Sequence, residues 1–176
     1  IGRMRVEPAI AHFPDHGLVD HLRAVAAMAG QHSPPSLNEV GTLAGRWHDL
    51  GKFRTGFQQY VRQDADAHVE GRAVVSVDKT HSAAGALLAL ESLQGLNGAP
   101  GRLVGWLLAH LIASHHHGLY DHADLQDRLF GRGGADSQRE KVQAVAACAA
   151  HDASLLSVPG SLVPLDVLRS IPGLSG

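Results

Sequence analysis

Residues 36–53 read SLNEVGTLAGRWHDLGKF, with apolar side chains at Val40, Leu43, Trp47 and Leu50. Steps of three and four put all of them on one stripe of a helix, a rhythm that a strand of period two cannot bury. Ser36 and Glu39 stand three apart just ahead of that stripe, which predicts a capping box at the helix start. At the other end His48 and Asp49 occupy the last turn, and Gly51 predicts a left-handed stop from which KFRTGFQQYVRQ opens a third helix.

The same rhythm recurs along the chain. Leu18, Leu22, Val25 and Ala29 predict a helix over 18–29 with Gly30 as its stop and His21 beside the apolar face. Further helices are predicted from Thr80 to Leu93, with His81 in the first turn, from Arg102 to Ser114, ending in HHHG, and over 122–130, 137–152 and 165–171. Residues 64–79 read as a loop, with VVSV at 74–77 as its one strand-like stretch. The expectation is an all-α fold in a single domain spanning residues 1–176, a length that can bury a core. No stretch is apolar enough to span a membrane, and the lone Cys148 forms no internal disulfide, which points to the cytoplasm. A net charge of −2 argues against nucleic-acid binding through a broad basic face.

Histidine stands out, with 13 residues against 15 Lys plus Arg. His21, His48 beside Asp49, His81, and His115 with His116 each fall in or near the end of a predicted helix. Metal sites in helical bundles are built from such converging side chains. Mixed imidazole and carboxylate donors favour Mn, Fe, Co, Ni or Zn over Mg or Ca, and two ions about 3.5–4 Å apart suit phosphodiester hydrolysis. Taken singly, each signal has a plainer reading. His21 could bond a carbonyl, three histidines could be a solvated helix end, and Lys52 could serve the helix dipole instead of facing a phosphate. Arg46, Arg54, Arg62, Trp47, Phe53 and Phe57 read as surface charge and core rather than as a base-stacking platform.

In LVDHLRAVAAMA, AGRWHDLGKFRTGFQQY, HSAAGALL and IASHHHGLYD, in that order, the chain resembles the HD-superfamily nuclease domain of the CRISPR-associated helicase-nuclease of type I systems. The resemblance implies an HD-domain helical bundle with its metal site at converging helix ends. It implies two divalent transition metal ions (Mn, Fe, Co or Ni, with Mg disfavoured), one on His21, His48 and Asp49 and one on Asp49, His81, His115 and His116. A register using His116 and His117 is the alternative for the last pair. Lys52 would lie near the phosphate, and His48, Asp49 and Lys52 would carry catalysis. The implied activity is endo- or exonucleolytic hydrolysis of single-stranded DNA in antiviral defence. The implied partners are a helicase domain or subunit and an RNA-guided surveillance complex. Two other functions compete: an HD phosphohydrolase acting on nucleotides or cyclic dinucleotides, and a non-catalytic interaction module with a structural metal. One departure is visible. The family's late Ala-Asp doublet, which would complete the first ion's ligands, has no counterpart before LRSIPGLSG. The chain is therefore expected to be cut before that helix, unless Asp152 or Asp166 substitutes.

Overall fold

The computed structural model describes residues 7–12, 14–62, 79–96, 98–160 and 162. The expected loop and strand at 64–79, apart from Lys79, lie outside those residues, as do the helix expected over 165–171 and Asp166. Seven α-helices are found among the described residues: α1 (Leu18–His32), α2 (Asn38–Trp47), α3 (Thr55–Val61), α4 (Ala83–Gln94), α5 (Ala99–Ala113), α6 (His122–Phe130) and α7 (Gly134–Asp152). The helical expectation holds. A small antiparallel hairpin that the sequence did not announce, β1 (Ile10–His12) and β2 (His16–Gly17), precedes α1.

Glycines set how closely the helices approach. Gly45 of α2 sits so near α1 that a Cβ there would come within 2.7 Å of Val25 O and 2.9 Å of Ala26 Cα. Gly30 was expected to end α1, but the helix runs through it to His32. A Cβ at Gly30 would overlap Thr42 Oγ1, so this glycine serves packing. The expected capping box does not form: α2 begins at Asn38 after a 3-10 turn, and no side chain caps it. Asn38 instead donates Nδ2 to Gly30 O at 2.8 Å, fastening the α1–α2 connection.

These contacts pair Gly30 with Thr42 and Ala26 with Gly45, so α1 and α2 run antiparallel and the start of α1 meets the end of α2. The α4–α5 pair behaves alike. Gly85 near the start of α4 lies against Ile112 near the end of α5, and Gly105 lies against Leu90. Gly85 also touches the Trp47 carbonyl, which brings the ends of both pairs together. Trp47, Leu43, Leu87, Leu108 and Ile112 fill the main core, and the Trp47 indole N–H reaches Leu155 O at 2.8 Å. A second cluster joins Leu18, Leu22, Leu50, Phe53 and Cys148, seating α7 against the 3-10 turn Leu50–Phe53.

Gly85→Ala would drive a methyl into the Trp47 carbonyl with Ile112 Cγ2 only 3.1 Å away. We expect a loss of about 1–3 kcal/mol from overpacking, read as a lower denaturation midpoint at unchanged slope.

Candidate metal centre

The helix containing Trp47 ends in a way that resolves the problem of adjacent ligands. Successive helical residues point about 100° apart, so His48 and Asp49 in a regular turn would diverge. His48 keeps helical angles (φ −57°, ψ −39°), whereas Asp49 leaves the helix at φ −108°, ψ 18°. That change turns both side chains into one cluster. A 3-10 turn follows, and Gly51 within it does not take the expected left-handed conformation, since Gly98 alone has positive φ among the described glycines. Gly51 is required for a different reason: a Cβ there would overlap the backbone of His81, whose carbonyl accepts the Gly51 N–H at 3.1 Å.

Asp49 is the hub, with 2% exposure. Its two oxygens divide the surrounding groups. Oδ2 faces His48 Nε2 at 3.1 Å, His21 Nε2 at 3.2 Å and Lys52 Nζ at 2.9 Å. Oδ1 faces His81 Nε2 and His115 Nε2, each at 3.3 Å. His116 joins the second group through His81, at 2.7 Å between Nε2 atoms. The six residues expected as ligands are thus brought together, in sets of His21, His48, Asp49 and of Asp49, His81, His115, His116 whose donor atoms lie within 4.8 Å of one another. His117 lies outside both sets and lines a neighbouring cavity.

Three rings are oriented by the backbone. Nδ1 of His48 bonds Gly45 O at 2.7 Å, Nδ1 of His115 bonds Ile112 O at 2.7 Å, and Nδ1 of His81 bonds Lys79 O at 2.8 Å. A carbonyl can only accept, so in each neutral ring the proton sits on Nδ1 and the Nε2 lone pair faces inward, the arrangement that prepares a metal ligand. The close approach of His115 Nε2 to Asp49 Oδ1 is then lone pair against carboxylate, and both atoms are buried without a hydrogen-bond partner. Buried polar atoms are ordinarily satisfied. A cation between these atoms satisfies both, so the donor set fits a divalent metal.

The electrostatics agree. Burial alone would raise the Asp49 pKa, but any proton on the inward nitrogens of His115, His48 or His81 becomes a hydrogen bond to the carboxylate, which holds it well below the usual carboxylate range. Burial and the neighbouring His115 and His81 push His116 down to about 4. Burial also lowers His21, against the partial opposition of Asp49.

Lys52 was expected to return toward a phosphate. The structure places its ammonium, on a 4% exposed residue, against Asp49 Oδ2, with a longer contact of 3.4 Å to Ala11 O. Its chain still forms part of the wall of an adjoining cavity of about 500 Å³, which Phe57, Tyr60, Lys79, His81 and His116 also line. His81 was placed in the first turn of a helix but precedes α4, which begins at Ala83. Asp152 is not a substitute ligand: it pairs with Arg23 at 2.6 Å and receives Ser154 N at 3.0 Å.

Several residues outside the six candidate ligands hold the site in place. Arg54, taken for surface charge, is buried; it donates to Gly51 O at 3.3 Å and to Thr80 O. Arg128 donates to Ser82 Oγ at 2.8 Å, Tyr120 Oη at 2.8 Å and Ala113 O at 3.3 Å, tying the His81 segment to the end of α5. Buried Glu140 receives the Ala84 N–H at 3.0 Å, capping α4 just beyond His81. Gln58 binds Ile10 through both ends of its amide, each at 2.9 Å, and donates to Lys52 O at 2.8 Å.

The family model described as Cas3, HD domain, matches residues 8–169. The chain belongs to the Cas3 HD-domain family. For a Cas3 HD domain, membership implies a metal-dependent hydrolase of the nuclease type, working in a CRISPR setting on DNA. It also implies divalent-metal binding, which the orphaned Asp49 Oδ1 and His115 Nε2 fit. Comparison with curated proteins and with solved structures gave no match. No described helix is long and apolar enough to cross a membrane.

The lowered histidines make a pH prediction for the metal-free protein. An unfolded imidazole binds a proton near pH 6.5, while folded His116 waits until about pH 4. Between those values the unfolded state holds more protons, so stability falls as pH drops from about 6.5 toward 4. The Asp49 contribution is fully present above its unfolded value near 3.9 and fades only below it. Denaturant titrations of chelator-treated protein across this range should show the decline, shallower in His116→Gln; equal slopes would remove His116 as a source.

Proposed function

We propose that this domain is a metal-dependent nuclease that hydrolyses phosphodiester bonds of single-stranded DNA. The observation that carries the reading is the division of Asp49, one oxygen toward His21 and His48 and the other toward His81 and His115. A carboxylate so placed can bridge two ions, with His21, His48 and Asp49 holding one and Asp49, His81, His115 and His116 the other. When bound, Mn, Fe, Co or Ni would supply Lewis acidity, strengthening an attacking water as an acid and neutralising charge at the phosphate.

The chain's own residues do the positioning. The backbone carbonyls at Gly45, Lys79 and Ile112 aim three imidazoles. Lys52 holds the carboxylate in place, its ammonium 2.9 Å from Asp49 Oδ2. The cavity beside the centre brings the rings of Phe57 and Tyr60 together with Lys79, whose ammonium lies 5.3 Å over the Tyr60 ring. Phe57 is core at 4% exposure and backs the half-buried Tyr60, whose ring beside the Lys79 cation suits an unpaired base and its phosphate, which favours a single strand over a duplex. With a net charge of −2, the domain depends on delivery of the strand, and a helicase domain or subunit together with an RNA-guided surveillance complex in the cytoplasm would provide it.

Circular single-stranded DNA tests the reading, because cutting a circle requires an endonuclease and a nucleotide phosphohydrolase leaves it intact. With Mn, Fe, Co or Ni added, the protein should linearise the circle, and Asp49→Ala should not. Wild-type cutting by Asp49→Ala would refute the site; hydrolysis of nucleotides or cyclic dinucleotides with the circle untouched would refute the substrate. Replacing Lys52 with Gln removes a partner of a ligand and is expected to cost about 10–100-fold in metal affinity or rate, measured by titrating the metal against cleavage.

A further inference from the structure

The hairpin ahead of α1 carries two histidines that the Asp49 cluster does not use. Strand pairing sets His12 directly across from His16. Since β2 runs straight into α1, His21 in the opening turn of that helix comes up beside both. The ring centroids stand 5.8 Å apart for His12 and His16 and 5.4 Å from each of these to His21, the latter two pairs edge to face. One nitrogen from each of the three rings lies within 4.8 Å of the others.

We propose that His12, His16 and His21 form a further cation site, built from nitrogen donors alone, for a zinc-class divalent ion. Three imidazoles with a fourth position left for water make a familiar tetrahedral arrangement. A tetrahedral ion with bonds of about 2.0–2.1 Å spaces its nitrogens about 3.4 Å apart. His12 and His16 are exposed and no hydrogen bond among the described residues holds either ring, so rotation of these two side chains can shorten spacings of up to 4.8 Å. The donor chemistry separates this site from its neighbour. The hairpin set contains no carboxylate, so it suits Zn, Cu or Ni and gives hard ions such as Mg or Ca nothing to prefer. His21 is common to both sets, with its Nε2 already 3.2 Å from Asp49 Oδ2. A test must therefore act through His12 and His16.

The experiment is Zn binding to metal-free protein at neutral pH by equilibrium dialysis with elemental analysis. The proteins compared are wild type, His12→Asn/His16→Asn, Asp49→Asn, and the combination of all three substitutions. The hairpin double variant should hold one equivalent of Zn fewer than wild type. Asp49→Asn should keep that equivalent and lose it when the hairpin substitutions are added. Replacing Zn by Co gives an independent signature, a visible tetrahedral absorption that weakens in the hairpin variant. His16→Asn alone, at an exposed position, serves if the double variant folds poorly, and should lose the same equivalent. Equal Zn content in wild type and the hairpin variants would overturn the proposal. Because these readouts count bound metal, they stand apart from whether the domain cuts DNA.

Discussion

A carboxylate buried to 2% exposure is the constraint around which this bundle is organised. An unpaired charge at that depth costs far more than a typical packing contact contributes. Lys52 offsets part of that charge from 2.9 Å, and imidazoles from four stretches of chain gather round the two oxygens, where a bound cation would offset the rest. Each stretch must then arrive at the same point. The start of α1, the end of α2, the residues before α4 and the end of α5 all do so, and the close helix approaches at Gly45 and Gly85 permit it.

What keeps these ends in place is mostly not ligand chemistry. The His81 segment is gripped on several sides: Gly51 N–H on the His81 carbonyl, Arg54 on Thr80, Arg128 on Ser82, and Glu140 on the Ala84 N–H. Gln58 performs a similar task for the hairpin, locking Ile10 to the turn that carries Lys52. Backbone carbonyls then set the tautomer of three rings, so that lone pairs rather than protons point inward. The result is a cluster in which Asp49 Oδ1 and His115 Nε2 are left buried without a hydrogen-bond partner, as in a site shaped for cations.

Much of this was readable in advance, for a physical reason. Helical periodicity is a local property, and the stripes at Leu18–Leu22 and Val40–Trp47 translate directly into buried faces. The histidines recur at helix ends because that is where a bundle's side chains can converge, so His21, His48, Asp49, His81, His115 and His116 could be collected from spacing and family pattern. The misreadings share a cause as well. Gly30 and Gly51 carry the signature of chain termination, yet both are small because another backbone or side chain lies against them. Ser36 and Glu39 have capping spacing, but Pro34 and Pro35 lead into a 3-10 turn and Asn38 makes the useful bond instead. Arg54 looks like surface charge until the carbonyls of Gly51 and Thr80 are brought to it.

The hairpin shows the boundary most clearly. Three residues in β1 and two in β2 are too few to display alternation, so His12 and His16 gave no sign of facing His21. By itself the sequence determined the helices, the inventory of donors and the family, since these depend on residues near one another in the chain or on a pattern held in order. Only the tertiary structure decided which oxygen of Asp49 meets which imidazoles, that Lys52 pairs with Asp49, and that the hairpin histidines stand beside His21. Those outcomes depend on distances between residues tens of positions apart, and packing alone fixes such distances.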